Sequence, residues 1–259
     1  MKDVLEFLKE IYEEATELFF LKSSIVSHKS PNDVLSEADL RLNNFFIQKI
    51  NERYPEASII AEESDNDNLT DNLTFVVDPL DGTCNYSLGL SLCGIQIAVF
   101  KNKECLLSFV GLPYFKEIYY AIKGEGAYLN DKRLEVNSVI NSSEGILELS
   151  DFYEVNDDIE IKNQYLLVEE LKPSFLKTRL FGAACIDFTN LATSKAQAYI
   201  CYYRLIWDIA PGLLIAQEAG CLYSRINLKP YEYDDHSIVI ANNKTNLDRI
   251  LKVAQKFVK

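Results

Sequence analysis

The sequence has few of the residues on which several common catalytic chemistries depend. It contains two histidines, His28 and His236, with one methionine and one tryptophan in 259 residues. Two histidines in separate polar stretches do not provide a His-rich zinc site or a Ser-His-Asp triad. We expect both histidines to be solvated loop residues, so any catalytic function has to use other side chains.

The sequence also lacks a Cys-x-x-Cys pair and a long hydrophobic run. Its six cysteines are Cys84, Cys93, Cys105, Cys185, Cys201 and Cys221. Most of them stand in apolar segments, which predicts reduced, buried thiols with a structural role. No apolar run approaches the ~20 residues that span a bilayer. The amphipathic N-terminus is charged rather than signal-like, and we therefore expect a soluble, cytoplasmic protein.

Positive charge is scarce relative to negative charge. The formal net charge is −13 and the isoelectric point is about 4.7. A surface of this sign repels nucleic acid and anionic lipid, and neither is expected as a partner. A phosphorylated small molecule stays possible, because bound cations reverse the local field.

The hydrophobic pattern predicts two lobes that share a cleft. Helical spacing is present from Asp3 to Phe20 and from Ser36 to Tyr54, and an antiparallel meander is predicted from Gly94 to Ile122. Beyond Gly145, predicted strands and helices alternate. We therefore expect an N-terminal α+β lobe over residues 1–140 and a C-terminal α/β lobe over residues 141–259.

The stretch VVDPLDGT, residues 76–83, places two carboxylates close together. Asp78 ends an apolar strand, and Pro79 cannot continue a hydrogen-bonded ladder. The proline step is expected to bring Asp81 round to the side of Asp78. Taken alone, the pair could also be an ordinary Asp-Gly turn.

The same stretch offers three further polar groups. The carbonyl of Leu80 is free to point inward, and Thr83 supplies a hydroxyl. The backbone N–H groups of Gly82 and Thr83 stand at a predicted helical turn, where anions bind readily. Hard oxygen ligands of this kind favour Mg²⁺ over zinc.

A centre with two metal ions needs more carboxylates than Asp78 and Asp81 provide. Three candidates are present: Glu62 after an apolar run, Asp208 at a predicted helix start, and Asp39. Each has a simpler interpretation, since Glu62 could lie in a solvated loop and the two aspartates could cap helices. Their joint occurrence in this order favours a common site.

Together these motifs resemble the inositol monophosphatase family of Mg²⁺-dependent phosphatases. The resemblance covers nearly the whole chain, and its two most specific motifs are DPLDGT and WDIA. The matching segments are DPLDGT at 78–83, WDIA at 207–210, AEES at 61–64, LSEAD at 35–39, GEGA at 124–127 and GAA at 182–184.

The resemblance implies a two-lobed, layered α/β/α/β/α sandwich of the α+β class, which assembles as a homodimer. It implies two or three Mg²⁺ ions per site and a small phosphorylated metabolite as substrate. The implied metal ligands are Glu62, Asp78, the Leu80 carbonyl, Asp81 and Asp208. The implied catalytic residues are Thr83, Glu62 and Asp39, with Thr83 orienting the attacking water.

The implied substrate-binding residues are Asp81, Gly82, Thr83, Gly182, Ala183, Ala184, Cys201 and Arg204. Two further residues are matched more loosely. Lys29 corresponds to a family lysine near the site, with a spacing one residue short. Asp187 resembles an aspartate that supports the site in bacterial members, although a solvated helix position would serve as well.

The match fails at the position that binds polyol hydroxyls. Animal members have a glutamate seven residues before the second-motif aspartate, whereas this chain has Cys201 seven residues before Asp208. A thiol is a weak hydrogen-bond partner and does not replace a carboxylate. Arg204 would suit a second phosphate or a nucleotide, or could simply pack at a strand or dimer surface.

Three functions therefore stay open from the sequence. The first is an inositol-1-monophosphatase-like hydrolysis of a small phosphate monoester. The second keeps this chemistry but acts on fructose 1,6-bisphosphate, NADP, histidinol phosphate or a 3′-phosphoadenosine nucleotide. The third is a metal- or phosphate-binding regulator without turnover, which the presence of Thr83, Glu62 and Asp39 disfavours.

Overall fold

The computed structural model describes residues 1–30, 33–64, 68–139, 141–151, 158–202, 205–226, 232–233 and 237–257. The elements up to residue 139 are α1 Lys2–Phe19, β1 Ile25–Ser30, β2 Asp33–Ser36, α2 Glu37–Arg53, β3 Ser58–Ala61, β4 Thr74–Asp81, α3 Thr83–Ser87, β5 Gly94–Lys101, β6 Glu104–Leu112, β7 Glu117–Ile122, β8 Gly126–Leu129 and β9 Lys132–Arg133. Those that follow are β10 Ile146–Leu149, α4 Asp158–Leu171, β11 Lys177–Arg179, α5 Ala184–Ala192, β12 Ala198–Cys201, α6 Ile206–Glu218, β13 Leu222–Ser224, β14 Ile238–Ala241 and α7 Lys244–Ala254.

The larger of the main sheets has seven strands in the order β3-β4-β5-β6-β7-β8-β9. β3 and β4 run parallel, and the remaining neighbours pair antiparallel, which confirms the predicted meander. The strands alternate between two cores because successive side chains point to opposite faces. Phe75 and Val77 pack under α1 and α2, whereas Val76 between them packs towards α5 and α6.

A second, five-stranded sheet has the order β11-β10-β12-β14-β13. Its strand β12 shows the same alternation: Tyr199 and Cys201 share the core of α5 and α6, whereas Ala198 and Ile200 pack with α4 and α7. The layers are therefore α1/α2, the large sheet, α5/α6, the small sheet and α4/α7. This arrangement confirms the predicted α/β/α/β/α sandwich.

Several elements were not predicted from the sequence, namely β1, β2, β8, β9, β13 and α4. The β1–β2 hairpin has fully exposed β1 side chains, so its sequence carries no hydrophobic alternation. Helix α4 has unevenly spaced apolar residues, so its sequence does not show a clear helical pattern. The division into lobes at residue 140 stays a prediction. Within the described ranges, no helix is long and apolar enough to cross a membrane.

Candidate active site

A bulge in β4 turns two aspartates to the same side of the large sheet. Asp78 pairs with Gln96 and Asp81 pairs with Gly94, so two residues of β4 face one residue of β5 between these pairs. On a regular strand, residues three apart point to opposite faces, and the extra residue of a bulge reverses this relation. Pro79 is tolerated there because a bulge interrupts the ladder. The backbone geometry thus confirms the prediction that the proline step brings Asp81 round to the side of Asp78.

The first turn of α6 adds a third carboxylate. Carboxylate oxygens of Asp78, Asp81 and Asp208 all lie within 4.8 Å of one another. Asp208 Oδ2 also accepts a hydrogen bond from the backbone N–H of Leu205 at 2.8 Å, which orients its side chain. Asp208 therefore caps its helix and joins the cluster, so the two interpretations of this residue are compatible.

Asp81 ties the cluster to the start of α5. Its Oδ2 accepts a hydrogen bond from the backbone N–H of Cys185 at 2.5 Å. Helix N-termini carry partial positive charge, which favours an anionic side chain at this place. The contact fixes the direction of the Asp81 carboxylate and brings the predicted substrate loop, residues 182–184, to the cluster.

Gly82 allows the loop at residues 182–184 to lie close to the turn that follows β4. Its φ of +84° is in the left-handed region, and a Cβ there would lie 2.9 Å from the Leu92 carbonyl oxygen and 3.0 Å from Ala183 Cβ. Any larger residue would displace one of these neighbours. Asn85 holds the residue that precedes this loop. Its Nδ2 donates hydrogen bonds to the carbonyl oxygens of Phe181 at 2.7 Å and Leu92 at 2.8 Å.

A buried chain of hydrogen bonds runs beside the cluster. Thr83 Oγ1 lies 2.7 Å from Asp39 Oδ1, to which it donates, and 3.1 Å from the Leu80 carbonyl oxygen. The other carboxylate oxygen of Asp39 accepts from the Ser36 hydroxyl at 2.6 Å and the Ser36 N–H at 2.8 Å. Asp39 thus closes a capping box at the start of α2 and also holds Thr83.

Glu62 reaches the cluster from the end of β3. Burial raises its pKa to about 8, an effect that Asp208 increases and that Lys29 opposes. Lys29 Nζ donates to Glu62 Oε1 at 2.8 Å and also contacts Glu63. Burial disfavours the charge of Lys29, but the two glutamates outweigh it and raise the pKa of this lysine.

Asp78 is the most deeply placed member of the cluster. Burial, and then the charges of Glu62, Asp81 and Asp208, raise its pKa well above the usual value. Its Oδ1 accepts from the Leu80 N–H at 3.0 Å, whereas its buried Oδ2 has no hydrogen-bond donor among the described residues. Buried like charges of this kind are stabilised by a cation.

The chemistry of the cluster fits a divalent metal ion of the Mg²⁺ type. All of its side-chain groups are carboxylate oxygens, which Mg²⁺ prefers, and the buried Asp78 Oδ2 has room in its coordination for a ligand bond. The residues that would hold the ion are Glu62, Asp78, Asp81, Asp208 and the Leu80 carbonyl.

The remaining predicted residues are placed less directly. Gly182 has a φ of +71° and faces Asn85, while Ala183 and Ala184 are buried at the start of α5. Cys201 has no exposed surface and packs in the core of α5 and α6, so its contact with a substrate stays a prediction. Asp187 is buried on α5, which excludes the solvated position considered for it.

Arg204 lies outside the described residues. Sequence reasoning also missed three contributors: Ser36 as a donor to Asp39, Glu63 as a partner of Lys29, and Asn85. The Ser-x-x-Asp spacing at residues 36–39 is a capping-box pattern and could have indicated Ser36. Asn85 is recognised only by its tertiary contacts.

Nearly the whole chain matches one known class of enzymes, the phosphoric monoester hydrolases. A model described as the inositol monophosphatase family matches residues 3–259, and the chain belongs to this family.

Three similar proteins illustrate the match. "Inositol-1-monophosphatase" of Bacillus subtilis is 27% identical over 242 residues, covering 92% of this chain and 89% of that protein. "Fructose-1,6-bisphosphatase/inositol-1-monophosphatase" of Aquifex aeolicus is 29% identical over 245 residues, covering 92% and 88%. A solved "IMPase/NADP phosphatase", complexed with NADP and Ca²⁺, superimposes with a TM-score of 0.83 at 25% identity, covering 97% of this chain and 93% of that one.

Proposed function

We propose that this protein hydrolyses a small phosphate monoester with the help of Mg²⁺, in the manner of an inositol-1-monophosphatase. The observation that carries the proposal is the convergence of Asp78, Asp81 and Asp208 within 4.8 Å, next to the buried Thr83–Asp39 pair. A regulator without turnover would need the carboxylates but not this pair.

The proposed ligands are Glu62, Asp78, Asp81, Asp208 and the Leu80 carbonyl, and we expect two or three Mg²⁺ ions. When bound, such ions supply Lewis acidity that activates water and offsets the charge of the phosphate. The protein contributes a fixed arrangement, since backbone groups of Leu80, Cys185 and Leu205 already orient three of the carboxylates. Fixed groups do not have to reorganise during the reaction.

Thr83 is proposed to orient the attacking water. Its proton is directed at Asp39 Oδ1, 2.7 Å away, so the lone pairs of its oxygen are available to accept a proton of the water. Asp39 is itself fixed by the two donors of Ser36. Glu62 at the end of β3 is proposed as the second group that orients this water and helps to remove its proton.

The phosphate is proposed to bind between the turn at Gly82 and the loop at residues 182–184. The Gly82 and Thr83 amides and the start of α5 provide N–H groups there, in keeping with a site for an anion. The close packing of Gly82 on Ala183 supports this assignment, because it holds the two backbone segments in contact. The proposed contacts with the phosphate are those of Asp81, Gly82, Thr83, Gly182, Ala183 and Ala184.

The leaving group is the open part of the proposal. Cys201 stands where a polyol-binding glutamate would be expected, which weakens the case for myo-inositol phosphate. The similar proteins named for fructose-1,6-bisphosphatase and NADP phosphatase activity keep these substrates as the alternative, together with histidinol phosphate and 3′-phosphoadenosine nucleotides. We further propose a homodimer in the cytoplasm, as for a family of enzymes acting on small metabolites.

The test is phosphate release from a panel of monoesters, measured with Mg²⁺ and with excess EDTA. The panel holds inositol 1-phosphate, fructose 1,6-bisphosphate, NADP, histidinol phosphate and 3′-phosphoadenosine 5′-phosphate. We expect release from at least one member with Mg²⁺ only, and its loss in Asp208→Asn. Release that persists in EDTA would refute the metal mechanism, and no release from any member would favour the regulator.

A further inference from the structure

Gln96 lies next to the acidic cluster on the strand that follows it. It is the direct partner of Asp78 in the antiparallel pairing of β4 and β5. Ile95 and Ile97 on either side of it pack under α1 and α2, so the Gln96 side chain points to the opposite face. That face is the one on which Asp78 lies.

The Gln96 amide is buried without a hydrogen-bond partner. The residue is 0% exposed, and neither Nε2 nor Oε1 has a partner among the described residues. Buried amides are nearly always paired, because leaving them unpaired costs free energy. Directly across the ladder, Asp78 Oδ2 is a buried acceptor for which the described parts of the chain supply no donor, since the side chain that contacts this carboxyl group is the carboxylate of Glu62. A donor and an acceptor without partners thus stand on neighbouring positions of one face.

We infer that Gln96 is a positioning residue, which donates its Nε2–H to Asp78 Oδ2 and so fixes the carboxylate that binds the metal ion. Directly opposed residues of an antiparallel pair have Cβ atoms about 4.5–5.5 Å apart, a separation that a rotation of the glutamine side chain spans. This inference rests on the proposed function.

The chemistry of the oxygen permits both interactions. A carboxylate has about four lone-pair sites, so Oδ2 can accept from the amide and still bind a cation. Carboxylates that bind metals are generally held by such outer hydrogen bonds, and their loss typically weakens metal affinity 10–100-fold. The competing interpretation is that Gln96 only fills space between β5 and α6.

The chain offers a matched control for this distinction. Gln164 on α4 is also buried, and neither of its amide atoms has a partner in the part of the chain that the structure describes, but it lies in the outer helical layer against the small sheet. Gln96→Met and Gln164→Met each replace a buried amide by an apolar side chain of the same length. Only the first removes a donor beside Asp78.

The experiment measures Mn²⁺ binding to the full chain by calorimetry, with unfolding by urea as a second measurement. We expect Gln96→Met to raise the Mn²⁺ dissociation constant by about tenfold or more, while Gln164→Met leaves it unchanged. Gln96→Asn, which keeps the amide on a shorter chain, should fall between wild type and Gln96→Met. It also serves as the test variant if Gln96→Met does not fold.

The outcomes separate this inference from the proposed function. If the wild type binds Mn²⁺ and Gln96→Met binds it equally well, the positioning role is refuted and the proposed function stands. Where Gln96→Met does not fold, equal binding by Gln96→Asn and wild type refutes it instead. If Gln164→Met weakens binding as much as Gln96→Met, the effect is one of packing and the inference is also refuted. If the wild type does not bind Mn²⁺, the proposed function fails and the inference fails with it.

Discussion

Each of the two sheets carries buried carboxylates, and the surroundings of these carboxylates differ. At the end of β4, Asp78 faces Asp81, Asp208 and Glu62, and both burial and these like charges raise its pKa. On β10, Glu148 is almost fully buried, and burial raises its pKa to about 8 against the effects of Asn190 and Lys195.

The difference between Asp78 and Glu148 shows that burial of an acid does not by itself indicate a binding site. Glu148 Oε1 accepts a hydrogen bond from Asn190 Nδ2 at 2.9 Å, and burial raises its pKa against the lowering effects of Asn190 and Lys195. A single buried acid can stay neutral by binding a proton. Several acids within 4.8 Å of one another repel each other when ionised, and a divalent cation relieves this repulsion.

The largest difference between the two regions should be in catalysis. Asp81→Asn removes a charge from the cluster and is expected to lower kcat/KM by at least about a hundredfold, in the range seen when one fixed electrostatic contact is lost. Glu148→Gln should leave kcat/KM essentially unchanged. Steady-state rates on the best substrate of the panel measure both. A comparable loss in Glu148→Gln would place the second region in the catalytic machinery and end the contrast.

The next prediction concerns how the free energy of unfolding depends on pH, and it measures the contribution of Glu148 separately from that of the acidic cluster. Its folded pKa of about 8 exceeds the ordinary value of 4.5, so between these values the folded state binds more protons than the unfolded state. The free energy of unfolding therefore falls as the pH rises through this window. Glu148→Gln stays neutral, and its stability relative to wild type should rise by on the order of 3 kcal/mol between pH 4.5 and 7.

Urea unfolding of both proteins at a series of pH values measures this difference. Subtraction of the two curves removes the contribution of the acidic cluster, which titrates in both proteins. If the free energies of unfolding of the two proteins run parallel between pH 4.5 and 7, Glu148 is ionised in the folded protein. Glu148 would then not be an example of a buried acid that stays neutral.

Mg²⁺ should stabilise the folded protein by binding at the acidic cluster, and Glu148 should not contribute to this stabilisation. A ligand that binds only the folded state adds about 2.7 kcal/mol at a concentration of 100 times its dissociation constant. We expect this gain in wild type and in Glu148→Gln, and its loss in Asp81→Asn. Thermal unfolding with increasing Mg²⁺, beside a choline chloride series of equal ionic strength, measures it. An equal gain for Asp81→Asn would mean that the stabilising ion binds elsewhere.

The same comparison shows how far the sequence predicts the site. Asp78 was predicted at the end of an apolar strand, Asp81 after the proline step and Asp208 at a helix start, and their joint occurrence favoured a common site. The bulge at Pro79 follows from the missing N–H of proline. Local sequence thus determines which side chains meet when backbone geometry leaves few alternatives.

Glu148 and Gln96 could not be predicted as buried polar residues in this way. Glu148 is the one polar side chain of β10, and Gln96 stands between apolar residues in β5, so the sequence does not say which face of each strand the neighbouring layer will cover. The β1–β2 hairpin escaped prediction for the opposite reason, since the side chains of β1 are exposed along its whole length. Tertiary contacts between distant segments decide these cases, as the packing of α5 and α6 on both sheets does here.

The smallest expected effect tests whether the cluster's supporting hydrogen bond contributes to stability. Thr83→Val keeps the shape of the side chain but leaves the buried Asp39 Oδ1 without its donor. A hydrogen bond to a charged group contributes about 1.5–3 kcal/mol, so unfolding should become easier by about 2 kcal/mol.

Thr83→Ser is the matched control because it keeps the hydroxyl and removes one methyl group. Its cost should be about 0.8 kcal/mol, the value for one buried methylene-sized group. Chemical unfolding of the two variants in EDTA separates this structural term from any effect of metal binding. The hydrogen bond is assigned correctly if the valine variant is clearly the less stable. Equal losses would mean that Asp39 is held by Ser36 alone, and that Thr83 acts only on the water that it is proposed to orient.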